Sequence, residues 1–300
     1  YTHGDKPDFA GTGTVTLYEP IDTGITYKDY KLILDPGASI PASIADFGLE
    51  TLTAAVPTRI VDTKGDLLGV TLDGTYNHPE KTFDGKGEIS LLRQVQVAEF
   101  GENYGIYLEQ DTSASVEIAA NDFKELKGNL VTTLHDGEGE FVKATAEGTY
   151  TKADDGDKVS AKGSISVTRE KKIENEGSEF GFSLLPCSGV EAEVTDNELQ
   201  YIAGNATAGI YKGSDQVAQA TANVTYKHKP EMDLDANGGV TVLKDIDTGA
   251  KYKEFNLVLA EGSGATIDVR SFDLKTMTAT VNMRIDEGTN PLVKIGLGGT

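Results

Sequence analysis

The stretch Gly74-Thr75-Tyr76-Asn77-His78-Pro79, followed by Phe83-Asp84-Gly85-Lys86-Gly87, is one of four similar stretches in this chain. In each stretch, a tyrosine precedes a polar linker, and a strand-like run of apolar and small polar residues follows. The four tyrosines lie about 75 residues apart, at Tyr1, Tyr76, Tyr150 and Tyr226. This spacing predicts four tandem copies of one unit, with boundaries at 1–75, 76–149, 150–225 and 226–300.

The first copy has the pattern of an antiparallel β protein. Apolar and polar residues alternate over Thr14–Tyr18, as they do in half-buried strands, and Tyr30–Leu34 is predicted as a second strand. Ile21–Gly24 has the composition of a turn, and Asp62–Asp66 has that of a hairpin loop. No copy shows helical periodicity, and each is expected to contain about five strands. The sequence therefore predicts an all-β fold of four tandem ~75-residue antiparallel β-sandwich-like repeats that form an elongated rod.

A unit of about 75 residues is close to the smallest that can hold a core of its own. Two arrangements fit the pattern: four small β-sandwiches on a string, or a continuous stack in which neighbours complete each other's cores. The linkers, such as Tyr76–Gly87, contain proline and glycine but no long flexible tract. We therefore expect discrete, closely abutting domains in a semi-rigid rod.

Composition excludes several classes of partner. The formal net charge is −21, and such a surface repels phosphate backbones and anionic membranes, so nucleic acid is not an expected partner. No apolar run approaches the ~18 residues of a membrane span, so no membrane insertion is expected. The single cysteine, Cys187, excludes an intramolecular disulfide. Because the chain begins in mid-pattern at Tyr1 with no visible signal peptide, we expect a mature or excised segment.

Two triplets, Asp22-Thr23-Gly24 and Asp247-Thr248-Gly249, resemble the paired catalytic loops of pepsin-like aspartic proteases. That resemblance implies two carboxylates that share a proton and activate water, which requires them to lie within roughly 10 Å of each other. The residues that flank the triplets depart from the family's pattern, and both triplets occupy the same hairpin turn, three copies apart. The tandem copies thus explain them without catalysis, and an aspartic protease is kept as an alternative.

Asp233-Leu234-Asp235-Ala236-Asn237-Gly238 matches the start of a calcium-binding loop, in which oxygen ligands alternate before a glycine. Asp233, Asp235 and Asn237 are therefore candidate calcium ligands, and calcium is the one cofactor considered. The loop's final bidentate glutamate is missing, because Lys244 stands at that position. A plain acidic turn explains the segment better. A second acidic turn, Asp154–Asp157, lies in the corresponding linker of the preceding copy.

Three histidines, His3, His78 and His228, share one position two residues after the tyrosine, and Lys152 fills it in the third copy. We interpret this position as a polar linker residue that caps or packs on its neighbour. Metal binding is the alternative, but no further ligands recur at a matching spacing.

Taken together, the residues favour a non-enzymatic, extracellular structural protein. Its acidity, low cysteine content and tandem β units resemble the repeat regions of large bacterial surface adhesins. We expect a stalk, adhesin or filament segment at the cell surface whose partners are other copies of itself or neighbouring repeats of a longer chain. One chain's end could then meet the next chain's start in a filament. A virion component, such as a tail fibre or capsid decoration, is the alternative.

Overall fold

In the computed structural model, the described part of the chain comprises residues 9–101, 103–153, 156–173, 179–228 and 231–300. These residues form strands and turns, and no helix occurs among them. The strands are antiparallel and belong to one large sheet. The prediction of an all-β, antiparallel fold is confirmed.

Twenty-four strands make up this sheet. In chain order they are β1 (Gly11–Thr16), β2 (Ile21–Tyr27), β3 (Tyr30–Leu34), β4 (Ser39–Ala45), β5 (Gly48–Asp62), β6 (Gly65–Asn77), β7 (Thr82–Leu91), β8 (Val95–Phe100), β9 (Tyr104–Leu108), β10 (Ser113–Ala119), β11 (Asp122–Asp136), β12 (Gly139–Thr151), β13 (Lys158–Val167), β14 (Lys171–Ile173), β15 (Phe180–Leu184), β16 (Gly189–Thr195), β17 (Glu198–Lys212), β18 (Asp215–Lys227), β19 (Asp233–Val242), β20 (Ile246–Tyr252), β21 (Phe255–Leu259), β22 (Gly264–Arg270), β23 (Asp273–Glu287) and β24 (Asn290–Gly299).

A similar order of strand lengths recurs in four successive runs of strands. We call these runs of strands group 1 (β1–β6), group 2 (β7–β12), group 3 (β13–β18) and group 4 (β19–β24). The fifth strand of every group has 15 residues, and the strand before it has 7. Each group holds six strands, one more than the sequence predicts. The additional strand in group 1 is β2, because Ile21–Asp22 and Thr26–Tyr27 pair with β3 on the two sides of a bulge that contains Gly24.

In group 1, the long strand β5 has two partners along one edge. Its first part pairs with β4 and its last part with β3. Beyond these strands, β4 pairs with β1, and β3 pairs with β2. The other edge of β5 pairs along its length with β6. Group 4 has the same arrangement, since β23 pairs with β22, β21 and β24.

Where the long strand changes partner, one of its residues faces a turn. In group 2 that residue is Val131, and the hydroxyl of Thr112 donates to its carbonyl and accepts its N–H, both at 3.1 Å. In group 1 the equivalent residue is Pro57, which has no N–H, and the turn residue is Ala38, which has no hydroxyl. The turn residue thus carries a hydroxyl where the strand residue has an N–H to satisfy, and it has no hydroxyl where the strand residue is proline. The same two bonds are made by the hydroxyls of Ser188 and Ser263.

The chain divides into two compact units. The first comprises Tyr1–Thr133, Thr145–Ala161 and Thr195–Asn197, and the second comprises Leu134–Ala144, Lys162–Val194 and Glu198–Thr300. The four domains of about 75 residues stay a prediction.

Few apolar side chains are enclosed in either unit. Among the described residues, the buried ones are Ala38, Leu91 and Val131 in the first unit, and Phe141, Val217, Ala218, Val242 and Val258 in the second. In the first unit they lie close to the turns that serve the long strands, since the Leu91 N–H donates to the Thr112 carbonyl at 2.9 Å. Backbone hydrogen bonds between strands therefore stabilise much of this fold, and the buried side chains are concentrated near the turns.

Candidate functional site

Both Asp-Thr-Gly triplets form bulges in hairpins. In Asp22–Gly24, the aspartate carboxylate accepts the glycine N–H at 2.9 Å, and the threonine hydroxyl donates to the Leu32 carbonyl at 2.9 Å. In Asp247–Gly249, the first bond is again 2.9 Å, and the threonine hydroxyl donates to the Leu257 carbonyl at 2.7 Å. Both glycines have a positive φ, of 71° and 75°, which glycine adopts without strain. Each carboxylate thus holds its own loop, and the aspartic-protease interpretation stays a hypothesis.

The candidate calcium ligands lie in a strand. Asp233, Asp235 and Asn237 occupy alternate positions of β19, so their side chains project from one face at intervals of about 7 Å. The Asp235 carboxylate accepts the Ser271 N–H at 3.2 Å, and the Asn237 side-chain carbonyl accepts the Asn223 amide at 2.9 Å. Asn237 also lines a polar surface cleft of about 510 Å³. Calcium binding at these residues stays a prediction, which a rise in Tm on adding calcium would support.

The described residues contain no cluster of three or more histidine, cysteine, aspartate or glutamate side chains arranged to hold a metal ion. Within the same residues, no helix is long and apolar enough to cross a bilayer.

The histidine position lies at the end of a group, next to its tyrosine. The His78 N–H donates to the Glu50 carbonyl at 2.9 Å, and its ring meets Tyr76 edge-on with centroids 5.9 Å apart. His228 packs beside Tyr226 in the same way, and its Nδ1 lies 3.1 Å from the tyrosine hydroxyl. This geometry agrees with a packing role. His3 lies outside the described residues, as do Asp154 and Asp155 of the second acidic turn.

Backbone pairing continues from one group into the next. β6, the last strand of group 1, pairs with β7, the first strand of group 2, from Leu68 opposite Leu91 to Asn77 opposite Thr82. β18 and β19 pair in the same register between groups 3 and 4. The predicted linker Tyr76–Gly87 is therefore mostly strand, because its two halves pair with each other across a short turn. We call the contact between the last strand of one group and the first strand of the next a junction.

A recurring ion pair spans the junctions. Arg93, just after the first strand of group 2, binds Asp62 at the hairpin that ends β5 in group 1. Lys244 occupies the same place in group 4 and binds Asp215 of group 3 at 2.8 Å. The signal in the sequence is a basic residue shortly after the first strand of groups 2, 3 and 4, namely Arg93, Arg169 and Lys244. A basic side chain on one group and an acidic side chain on the previous group add specificity to the backbone pairing.

The ion pair at Asp136 is the most enclosed of these. Its side chain is only 7% exposed, and it accepts bonds from Arg169 at 2.5 Å and from Lys171 at 2.7 Å. The hydrogen bond from Lys171 lowers the pKa of the Asp136 carboxyl most, and the Glu138 N–H and Arg169 lower it further against the opposing effect of burial. Asp136 therefore stays ionised well below the usual pKa range of an aspartate.

We expect Asp136 to make the free energy of unfolding fall as the pH becomes acidic. Because its pKa is lowered in the folded state, its contribution is fully present above the unfolded pKa of about 3.9 and is lost as the pH falls below that value. Asp136→Asn should therefore be less stable than wild type at pH 7, and the difference should shrink as the pH approaches 2. Urea unfolding at several pH values measures this difference.

Glu138→Gln is the matched control for that experiment. Glu138 also binds Arg169, but its side chain is 81% exposed, so its loss should change stability little at any pH. A constant difference between Asp136→Asn and wild type from neutral to acid pH would contradict the assignment.

The twelfth residue of the long strand makes side-chain contacts that differ among the groups. This residue is Arg59, Thr133, Gly209 or Arg284 in groups 1 to 4. Arg59 binds Asp35 and Asp66 at 2.6 and 2.7 Å, whereas Thr133 donates to Glu109.

In group 3 the residue beside Gly209 is Ser183, which is 1% exposed. Tyr211 and Ser183 together lower the pKa of the Glu170 carboxyl by hydrogen bonding. A hydroxyl this deeply enclosed is shielded from any substrate in solution. The four places thus share a position in the fold, whereas their chemistry differs: an arginine pairs with two aspartates in groups 1 and 4, a threonine donates to a glutamate in group 2, and a glycine lies beside a buried serine in group 3.

The sheet is open on both faces at β11 and β12. Leu126, Leu130 and Val159 line an apolar cleft of about 480 Å³ whose floor includes Gly128 and Gly148. The intervening side chains line a polar cleft of about 250 Å³, and they include Lys127, Asn129, Glu147 and Thr149. Because successive residues of a strand point to opposite faces, the two clefts lie back to back across a single layer.

Comparisons with protein families, curated proteins and solved structures gave no match to this chain. The assignment of function therefore depends on the geometry alone.

Proposed function

We propose that this chain is a non-enzymatic structural protein, an extracellular stalk, adhesin or filament segment built from four tandem copies of one β unit. The observation that carries the proposal is the junction: the last strand of one group pairs with the first strand of the next over its whole length. Between two domains with separate functions, such continuous pairing would serve no purpose. Between repeats of a rod, it transmits tension along backbone hydrogen bonds and restricts bending.

The junctions favour the continuous stack over discrete sandwiches on a string. In a continuous stack, each unit depends on its neighbour for one edge of its sheet, so four copies form one array. The ion pairs Arg93–Asp62 and Lys244–Asp215 act between neighbouring groups and reinforce this interpretation.

The recurring positions argue against catalysis. Reactive sites keep a nucleophile, a base and a stabilising donor in fixed geometry. Here the positions with constant geometry are the glycines of bulges and the hydroxyls of turns, which serve the backbone. The positions that vary, such as Arg59 and Thr133, make ion pairs or hydrogen bonds within their own group.

Small-angle X-ray scattering of the monomer tests the proposal. A compact chain of 300 residues has a radius of gyration of about 19 Å. We expect a clearly larger value and a pair-distance distribution with a long tail. A nearly round particle with a radius of gyration of about 19 Å would contradict the proposal. A trimer or hexamer around an axis would favour the virion alternative.

A further inference from the structure

One face of the sheet in the first unit carries apolar side chains that are open to solvent. We call it the apolar face. It consists of alternate residues, beginning with the first of each range, in 40–44, 52–56, 70–76, 83–89, 114–118 and 126–130. Its side chains Ile40, Leu52, Leu72, Ile89 and Leu126 are each between 37% and 54% exposed. A contiguous apolar patch on a protein surface marks a place where another molecule binds.

Strand register places these residues on one side of the sheet, because directly opposite residues of an antiparallel pair share a face. Leu72 of β6 lies opposite Gly87 of β7. Gly87 in turn lies opposite Val116 of β10, which lies opposite Leu126 of β11. The cleft that Leu126 and Val159 line extends the apolar face over β12 and β13. The apolar face thus crosses the eight strands β4–β7 and β10–β13.

The opposite face of the same strands is charged. Asp73 of β6, Lys86 of β7, Glu117 of β10 and Glu125 of β11 lie side by side in one row. By contrast, the alternate residues that define the apolar face, all of which are described, include no charged side chain. Charge and apolar surface are therefore separated on the two faces of one layer.

We propose that the apolar face binds the apolar face of a second copy of this chain, so that two single layers form a two-layered dimer. Sheets with one apolar face pack in this way about 10 Å apart, with the charged faces in solvent. The dimer goes beyond the proposed function, because it identifies a partner and a surface that a rod and a rounder particle could equally carry.

The area of the apolar face is sufficient for a stable dimer. Eight strands with a shared length of about 20 Å cover roughly 800 Å² at the usual strand spacing. A stable interface of standard size buries about 800 Å² on each partner. A second copy therefore supplies a complete interface without any contribution from other parts of the chain.

The distribution of charge also favours a second copy. The chain carries a formal net charge of −21, so two copies repel each other through most of their surfaces. Contact through the apolar face buries no charged group, and it keeps acids such as Glu117 and Glu125 on the outer side of each layer. A basic partner would instead be attracted to the charged face and would leave the apolar face open.

Side-chain sizes make the apolar face complementary to itself about a two-fold axis that runs along the strands between β7 and β10. Such an axis exchanges β7 with β10 between the two copies, and the contact is isologous. Ile89 then faces Ala114 of the second copy, because these two residues lie opposite each other within one chain. For the same reason, Gly87 faces Val116 of the second copy. In both pairs a large side chain meets a small residue.

The same axis exchanges β6 with β11. Val70 then faces Gly128 of the second copy, since these residues lie opposite Ile89 and Ala114 in their own chain. A carbon added at Gly128 meets nothing within 4 Å, so the place that Val70 would enter is open. Leu72 faces Leu126 of the second copy, and each of these leucines has a glycine neighbour on its own face.

Sedimentation equilibrium over a range of concentrations tests the proposal. Wild type should be a dimer that dissociates on dilution. Leu72→Lys places a charge within the interface and should weaken dimerisation at least about 100-fold. The variant can fold as a monomer, because Leu72 is 54% exposed.

Thr71→Lys is the matched control for Leu72→Lys. Thr71 is the adjacent residue of β6, and it lies on the charged face opposite Glu88. Thr71→Lys should therefore dimerise like wild type, and circular dichroism melting checks that both variants are folded. Equal dimerisation of the two lysine variants would overturn the proposal.

Gly128→Val tests the shape of the interface without a change in charge. It fills the place that Val70 of the second copy would enter, so it should weaken dimerisation about tenfold. Gly181→Val in β15 is its control, because a carbon added at Gly181 also meets nothing within 4 Å and lies in the second unit. Dimerisation of Gly128→Val as tight as that of Gly181→Val would contradict the two-fold arrangement.

Disulfide trapping tests the direction of the axis. In a Cys187→Ser background, Val70→Cys mixed with Gly128→Cys should give disulfide-linked dimers on mild oxidation, because facing residues of the two layers come within reach of a disulfide. Each cysteine variant alone should link poorly, since the axis keeps each position away from its own counterpart. Linkage of Val70→Cys to itself as efficient as in the mixture would overturn the arrangement.

The outcomes separate this dimer from other occupants and from the proposed function. A wild type that stays monomeric at every concentration would overturn the proposal, and its flotation with phosphatidylcholine vesicles would assign the apolar face to a lipid surface instead. An extended monomer that never associates contradicts the dimer alone. A round particle that dimerises through the apolar face contradicts the proposed function and supports the dimer.

Discussion

Leu91→Ala should lower the free energy of unfolding by about 2–5 kcal/mol. Leu91 is the last residue of β7, is only 7% exposed, and lies opposite Leu68 of the preceding group. Its truncation removes apolar contacts and leaves a cavity at the junction, next to the turn that serves Val131. Urea unfolding followed by far-UV circular dichroism measures the change.

Leu17→Ala is the matched control for Leu91→Ala. Leu17 holds the same place in group 1 and makes the same bond, from its N–H to the Ala38 carbonyl at 2.8 Å, but its side chain is only half-buried, whereas Leu91 is buried. Its truncation should cost about 1 kcal/mol or less, because a half-buried side chain has less contact to lose. Equal losses at Leu17 and Leu91 would show that the junction does not enclose Leu91 and would weaken the case for continuous packing.

Thr112→Val should cost about 1–3 kcal/mol, although valine has nearly the shape of threonine. The lost hydroxyl is the partner of both the N–H and the carbonyl of Val131, which is 4% exposed. A buried N–H without a partner carries its full desolvation cost. The same unfolding experiment measures the effect, and amide exchange at Val131 should accelerate.

Ala38→Ser separates loss of a hydrogen bond from change in shape. Ala38 holds the place of Thr112, but it faces Pro57, which has no N–H to satisfy. Although Ala38 is buried, the added hydroxyl can donate to the Pro57 carbonyl as Thr112 donates to Val131, so Ala38→Ser should change stability by less than Thr112→Val does. If Thr112→Val were as neutral as Ala38→Ser, the hydroxyl bonds would not be what stabilises the turn.

These two pairs of variants test which interactions stabilise a β fold that encloses few side chains. Because few side chains are enclosed, each satisfied backbone group and each covered leucine accounts for a large share of a small net stability. The junctions contribute twice: they pair an otherwise open strand edge, and they cover the apolar residue at its end.

Much of the fold could be predicted from local patterns. Alternation located part of β1 and also Tyr30–Leu34, which is β3, whereas β2 between them was predicted as a turn. The Asp-Thr-Gly triplets indicated turns in two hairpins, and their glycines, Gly24 and Gly249, have a positive φ in the structure. These features depend on interactions within a few residues, so they are visible without knowledge of the rest of the chain.

Other features were missed because they depend on distant partners. Tyr76–Gly87 was interpreted as a linker, yet its halves pair as β6 and β7, and its tight turn is what aligns two groups. The sequence also placed Asp233 and Asp235 in a loop, whereas they lie in a strand whose neighbours are β18 and β22. Strand propensity is weak for aspartate, but pairing with Lys227 and Thr225 of β18 holds both residues in the strand.

The sequence thus specified an acidic, antiparallel β chain with a period of about 75 residues, because alternation, turn residues and charge are local properties. The pairing of each group with the next, the ion pair of Arg93 with Asp62, and the match of Ala38 with Pro57 emerged only in three dimensions. The physical reason is that a strand edge carries no signature of its partner: the same N–H and C=O groups pair with any strand, and only the assembled sheet selects which one.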